Sequence, residues 1–170
     1  MSGKADDPNV PMAPTPAIEG VDHNGIVVGK WKNGLFSCYT ACIPNAFMPF
    51  VCPGVSMAQL SARLGLANYF MVLFAYLSVY GLVLLAAVTD LDVVSTLAVI
   101  MAVLVLLFTI RIRFRMRYLF SIPGTLTEDL ISSICCSCCA IAQMTAHAES
   151  FEINTCGIVP RATLPGYTFG

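Results

Sequence analysis

Two long apolar stretches dominate the pattern of hydrophobic and polar positions along the chain. They cover residues 66–88 and 93–110, and a four-residue polar break separates them. The break contains Asp90 and Asp92, and neither stretch contains a charged residue. Because a helix needs about 20 mostly apolar residues to cross a bilayer, each stretch predicts a membrane-spanning helix. The short break makes the two spans an antiparallel hairpin, and Asp92 is predicted to be the N-cap of the second helix.

The spans also carry candidate contact positions. Neither span has the polar stripe with which a helix of a soluble protein meets water, so a soluble helical pair is disfavoured. In lipid, helices approach each other most closely at small residues. Four small residues are therefore predicted helix-packing positions, either inside the hairpin or against a partner: Ser78, Gly81, Ala98 and Ala102.

The composition agrees with a membrane protein. Of the 170 residues, 57% are hydrophobic and 11% are charged, whereas soluble domains average about 25% charged residues. The net charge of −1 argues against nucleic acid as a partner, because binding to phosphate backbones requires a basic excess.

Basic residues flank the hairpin. Four arginines after the second span are predicted to bind lipid headgroups, or else only to mark the orientation of the hairpin: Arg111, Arg113, Arg115 and Arg117. Other basic residues precede the first span, so the positive-inside rule predicts both termini on the cytoplasmic side or an equivalent such as a matrix. The start of the chain lacks the apolar core of a signal peptide. An organellar inner membrane and the plasma membrane both fit this pattern.

The remaining sequence divides into three parts. Residues 1–30 form a Pro- and Gly-rich extended arm, and residues 150–170 form an extended tail; if ordered, both are most simply held by neighbouring subunits. Residues 31–149 form a cysteine-rich domain that contains the spans. This domain is predicted to end in an amphipathic helix over residues 126–149, which begins with a Thr-x-x-Glu capping box and lies on the membrane surface. The predicted fold class is an all-α membrane protein.

Eight cysteines lie outside the spans, three before them and five after. Cys38 and Cys42 are four residues apart, as are Cys135 and Cys139, so each pair shares a face if helical. Together these four thiolates are predicted to form a tetrahedral site, for which zinc is the fitting metal. S-acylation next to the membrane and simple packing of thiols are the alternatives.

Two groups of residues form a front and a back motif: Trp31, Gly34-Leu35-Phe36, Cys38, Cys42 and Cys52-Pro53, then Arg113, Arg117, Tyr118, Ile122, Gly124, Asp129, Cys135-Cys136, Cys138-Cys139 and Gln143. With these motifs the chain resembles the placenta-specific eight family, which includes cornifelin, the plant cadmium-resistance proteins and the fruit-weight cell-number regulators. The resemblance covers roughly residues 31–147, and the family's usual Cys-Pro-Cys appears here as Cys52-Pro53-Gly54.

Two functions follow as hypotheses. The first is a non-enzymatic accessory or structural subunit of a larger membrane complex, with lipids and other membrane subunits, or further copies of itself, as partners. The second, implied by the resemblance, is an oligomeric protein for cation or heavy-metal transport or homeostasis. An enzyme is not expected, because the sequence has no glycine-rich phosphate loop and no nucleophile beside a base.

Overall fold

A computed structural model describes residues 20–39, 47–89, 91–150 and 157–165 of the chain. These residues form six α-helices, a short 3-10 helix and a two-stranded β-hairpin. The strands are β1 (Gly20–Val21) and β2 (Val27–Val28), and the 3-10 helix is Leu35–Tyr39. The helices are α1 (Phe47–Val51), α2 (Pro53–Arg63), α3 (Tyr69–Val88), α4 (Asp92–Leu119), α5 (Leu126–Cys135) and α6 (Ser137–His147). The mostly helical architecture confirms the predicted fold class.

The two predicted spans are α3 and α4, both long and apolar enough to cross a membrane. Helix α3 starts at Tyr69, because the Asn68 side chain accepts a hydrogen bond from the amide of Phe70 at 3.0 Å and caps the helix. Helix α4 does not end at residue 110 but continues through the arginines to Leu119. The prediction of Asp92 as N-cap was wrong, since Asp92 is the first helical residue and Leu91 holds the cap position.

The hydrophobic core lies beside the arginine end of the hairpin and not between the two spans. It is built from large apolar side chains of four helices, with Ile26 of the β-hairpin: Met57, Leu60 and Leu64 of α2, Val72 of α3, Met116 of α4, and Ile141 and Met144 of α6. Most side chains in the spanning part of α3 and α4 are outside this core. The membrane hairpin is therefore attached to a compact helical body at one end.

The helix predicted over residues 126–149 is two helices. Its capping box is present, with the Glu128 amide donating to Thr125 Oγ1 at 3.3 Å and the Thr125 amide donating to Glu128 Oε2 at 3.1 Å. At Cys136, however, the chain bends by 117° between α5 and α6. The bend turns α6 inward, and because α6 has no charged face, every residue from Cys139 to His147 can be buried and is.

The described parts of the arm and the tail are held by the chain itself. The Gly29 amide donates to the carbonyl of Phe120 at 2.9 Å, which attaches the β-hairpin to the end of α4. The Leu164 amide donates to the carbonyl of Arg63 at 2.9 Å, and the Leu164 side chain is buried. For these described parts, the contacts are made without a neighbouring subunit; that other subunits hold the rest of the arm and tail stays a prediction. Residues 1–19, 151–156 and 166–170 of the predicted arm and tail lie outside the described residues.

Candidate functional site

A buried cluster of two arginines and one aspartate joins α4 to α5. Arg113 Nε donates to Asp129 Oδ1 at 3.1 Å, and Arg117 donates through Nε and Nη2 to Asp129 Oδ2 at 2.8 and 2.7 Å. The two arginines are one helical turn apart on α4, so both reach the same carboxylate. Their residues are 5% and 7% exposed, and Asp129 is 1% exposed. Because a buried charge is costly unless paired, these three side chains depend on one another.

This cluster changes the interpretation of the four arginines. The guanidinium groups of Arg113 and Arg117 face Asp129 inside the protein, which leaves little of either side chain open to lipid headgroups. Arg111 is exposed and Arg115 is half-exposed. For these two residues, contact with lipid headgroups stays a prediction. The spacing along α4 explains why two arginines are buried and two are not. Positions 113 and 117 share one face of the helix, and positions 111 and 115 share another.

Aromatic rings contact the cluster and the end of α6. The Trp31 ring lies 4.6 Å from the Arg113 guanidinium carbon, which is a cation–π contact. The His147 ring meets Trp31 and Phe120 edge-to-face, with centroid distances of 5.2 and 4.8 Å. His147 Nδ1 accepts a hydrogen bond from the Lys32 amide at 3.1 Å. The front and back motifs thus meet at this point.

His147 is fully buried, although it lies at the end of a helix. Burial, with a smaller contribution from the nearby Lys32, lowers the pKa of His147 from 6.5 to about 4. The ring is therefore neutral near pH 7, and Nε2 has no hydrogen-bond partner among the described residues. The sequence held a signal for this burial: residues 130–146 contain no charged side chain, which is typical of a helix enclosed on all sides.

Two further motif residues fix the geometry around the cluster. Gly124 has φ +151°, and a Cβ atom there would collide with the Arg117 guanidinium and lie 2.9 Å from Glu128 Oε2. Glycine is required at this turn for both reasons. Gln143 Nε2 donates to the carbonyl of Asn33 at 2.9 Å and so ties α6 to the front motif. Sequence reasoning found these residues through the resemblance but not their contacts.

The predicted zinc site does not fit the described residues. Cys139 is joined to Cys136 by a disulfide with a Cα–Cα distance of 5.3 Å, and Cys135 is exposed. Cys42 and the side chain of Cys38 lie outside the described part of the chain. Within the described ranges no group of three or more His, Cys, Asp or Glu residues is arranged to hold a metal ion. A four-thiolate site would first require reduction of the disulfide.

Polar groups do occur inside the spans, on the side that faces α2 and α6. The Tyr76 hydroxyl is buried close to Thr109, yet makes no hydrogen bond to any described residue, and Thr109 donates to its own helix at Val105. The Tyr80 hydroxyl lies within electrostatic range of the Cys52 and Cys138 thiols. Hydroxyls and thiols therefore come together beside the hairpin.

The four predicted helix-packing residues divide into two groups. Ala98 is buried, whereas Ser78, Gly81 and Ala102 are exposed. A Cβ atom added at Gly81 would meet no described atom within 4 Å. The close backbone approach that the sequence did not predict is at Gly54, where an added Cβ would lie 2.7 Å from the Tyr76 Cβ. The small residues at positions 78, 81 and 102 are thus open to a partner.

Comparison with known proteins identifies a family. A family model described as the PLAC8 family matches residues 31–147, which is more than half of the chain and coincides with the range of the resemblance. No curated protein matches the chain significantly. No solved structure matches it significantly either.

Proposed function

The chain belongs to the PLAC8 family, and we propose that it acts as a small non-enzymatic subunit of a larger membrane protein complex. In this role the hairpin anchors the chain, and its exposed small residues, Ser78, Gly81 and Ala102, contact a span of another subunit. The observation that carries the proposal is the open surface at Gly81, where nothing within 4 Å of an added Cβ belongs to the described part of the chain.

The physics of helix association in lipid supports this role. Burying apolar surface gives no advantage against lipid tails, so helices associate where small residues permit close backbone packing. Within the hairpin, only Ala98 of the four predicted packing residues is used. Ser78 donates its hydroxyl to the Phe74 carbonyl of its own helix at 2.8 Å, which leaves a smooth surface beside Gly81.

The buried charged groups have structural partners, which supports a non-enzymatic role. Arg113 and Arg117 both pair with the carboxylate of Asp129, and all three side chains are nearly inaccessible. A catalytic acid or base needs contact with the reacting group. In this protein the side chains of Arg113, Arg117 and Asp129 connect α4 to α5 instead.

A second candidate function is an oligomeric path for a cation or heavy metal. It is favoured by the hydroxyls of Tyr76 and Thr109 and by the two thiols, Cys52 and Cys138, near Tyr80. Polar groups at membrane depth are costly and often line ion paths. Two spans cannot enclose a path, so this function requires several copies of the chain.

Native purification in mild detergent, followed by mass measurement of the intact assembly, separates the two candidates. A fixed set of other proteins that travels with the chain supports the subunit role. A homo-oligomer of this chain alone, with metal flux in reconstituted vesicles, supports transport. A chain that runs as a monomer in native lipid contradicts both.

A substitution at the open surface sharpens this experiment. Gly81→Leu adds bulk where the chain itself has space, so the chain should fold but leave its assembly. Ala75→Leu is the matched control, because Ala75 is also exposed on α3 and lies about 120° around the helix from Gly81. Equal retention of both variants in the assembly would contradict a partner at Gly81.

A further inference from the structure

We propose that α1, α2, α5 and α6 enter the bilayer and turn back near its midplane, so that lipid acyl chains cover their exposed apolar side chains. The protein then has two re-entrant segments, α1–α2 and α5–α6, beside its two full spans. This inference does not depend on which partner or function the chain has. It places α5 and α6 deeper than the surface position predicted from the sequence.

Helix α3 provides the depth scale. Its 20 residues correspond to about 30 Å at 1.5 Å per residue, which equals the thickness of the hydrocarbon layer. Tyr69 lies at the end near the arginines. Tyr76 is therefore about 10 Å and Tyr80 about 16 Å into the layer from that end.

The first turns of α2 and α6 lie at the depth of these tyrosines. Gly54, in the first turn of α2, is in close contact with Tyr76. Helix α6 packs against both α1 and α2, and Cys138 in its first turn is within electrostatic range of Tyr80. Both helices thus begin between about one third and one half of the way through the hydrocarbon layer.

The last turns of the same helices lie at the arginine end. The carbonyl of Arg63, the last residue of α2, accepts a hydrogen bond from the Leu164 amide in the tail. The His147 ring, at the end of α6, lies 4.8 Å from the ring of Phe120, which follows α4. Each helix has 11 residues and is about 16 Å long, close to half of the hydrocarbon thickness.

The exposed apolar side chains of these segments are large and continue the lipid-facing surface of the spans. Phe50 is 75% exposed, next to the turn at Cys52. The other large exposed side chains lie on both segments and on the adjacent 3-10 helix: Phe36, Phe47, Val51, Leu130, Ile131 and Ile134. In water such a surface would be unusual for a monomer. Acyl chains cover it without any additional protein.

The charge pattern agrees with insertion. Residues 33–62 and residues 130–146 contain no Asp, Glu, Lys or Arg, although these two regions are outside the predicted spans. Charges resume at Arg63 and Glu149, which are at the arginine end. Backbone turns at membrane depth are tolerated where they are buried in protein. The helices on either side of the turn at Cys52, α1 and α2, both pack against α6, and α2 also packs against α3.

Depth-dependent fluorescence quenching tests this inference. The chain has a single tryptophan, Trp31, which supplies a constant background. Phe50→Trp and Ile134→Trp each add a reporter at an exposed apolar site, one on each re-entrant segment. Val21→Trp is the control, because the exposed Val21 lies on the β-hairpin beyond the end of α4. The proteins are reconstituted in phosphatidylcholine vesicles brominated either near the headgroup or near the chain ends.

Insertion predicts that the added fluorescence at positions 50 and 134 is lost mainly with bromine near the chain ends. The reporter at position 21 should lose little fluorescence with either lipid. Stronger quenching by bromine near the headgroup at positions 50 and 134 would overturn the inference in favour of a surface position. No quenching at these positions together with a dimeric mass would overturn it in favour of a second copy. If Phe50→Trp or Ile134→Trp fails to reconstitute, Phe36→Trp is measured in its place.

Discussion

At the scale of single residues, the family motif is mainly a set of structural contacts. Arg113 and Arg117 share the carboxylate of Asp129, Trp31 covers Arg113, and Gly124 leaves room for the Arg117 guanidinium. The residue types were evident from the sequence through the resemblance. Their pairing was not, because Asp129 follows the arginines after a turn whose direction depends on tertiary packing.

Removing the shared carboxylate should destabilise the protein strongly. Asp129→Asn leaves two buried guanidinium groups without a counter-charge, which typically costs about 3–5 kcal/mol. The measurement is the unfolding midpoint in detergent. Asp92→Asn is the control, since Asp92 is exposed at the first turn of α4. If both variants have the same unfolding midpoint, the Arg113–Asp129–Arg117 cluster does not stabilise the fold.

The buried His147 gives the stability a defined pH dependence. Its pKa is about 4 in the folded protein and about 6.5 in the unfolded chain, so the unfolded state binds more protons in this interval. Stability is therefore complete above pH 6.5, falls as the pH drops toward 4, and loses on the order of 3 kcal/mol in total.

Comparison of two histidine variants isolates this effect. Between pH 6.5 and 5, where few carboxylates titrate, His147→Gln should flatten the loss of unfolding free energy with falling pH. His23→Gln is the matched control, since it makes the same change of residue type at an exposed ring. A parent-like slope in the His147 variant would show that folding does not lower the pKa of this ring.

At the scale of helices, the sequence predicted the spans well and the end of α4 poorly. The apolar pattern marks where lipid begins and ends, but a helix is free to continue beyond it. Helix α4 has no Gly or Pro before Pro123, and it ends at Leu119, just before Ser121 adopts φ 51°. The extension of α4 places Arg113 and Arg117 one turn apart, on the side of the helix that faces Asp129.

The break at Cys136 was missed for a different reason. The local pattern from 126 to 147 is continuous, and no Gly or Pro interrupts it. The bend is favoured by packing, because α6 becomes enclosed by α2, α4 and the 3-10 helix, with Met144 and His147 fully buried. Such tertiary preference is invisible to periodicity and to capping signals.

A proline placed in the extension of α4 tests its structural role. Phe114→Pro should remove a helical hydrogen bond and kink the helix between Arg113 and Arg117, at a cost of about 3 kcal/mol. Val93→Pro is the control, because proline is tolerated in the first turn of a helix. Thermal unfolding in detergent should separate the two variants. Equal stability would contradict a continuous α4 through residues 92–119.

At the scale of the whole molecule, the chain is a membrane hairpin with a helical body at its arginine end. The body buries the motif residues, holds the described parts of both ends, and surrounds α6. The hairpin and the family were predictable, because lipid imposes a simple length rule and the motif has specific spacings. The contact of the tail with α2 through Leu164 was not, since a Pro- and Gly-containing segment has no periodic pattern to interpret.

The orientation of the hairpin tests the account most directly. Tags at the two chain ends and a third tag inserted at Leu91, in the turn between α3 and α4, are probed with an impermeant protease in sealed native vesicles. The account expects both end tags on one side, the cytoplasmic or matrix-equivalent side, and the Leu91 tag on the other. End tags on opposite faces of the membrane, or a chain recovered in the aqueous fraction without detergent, would contradict it.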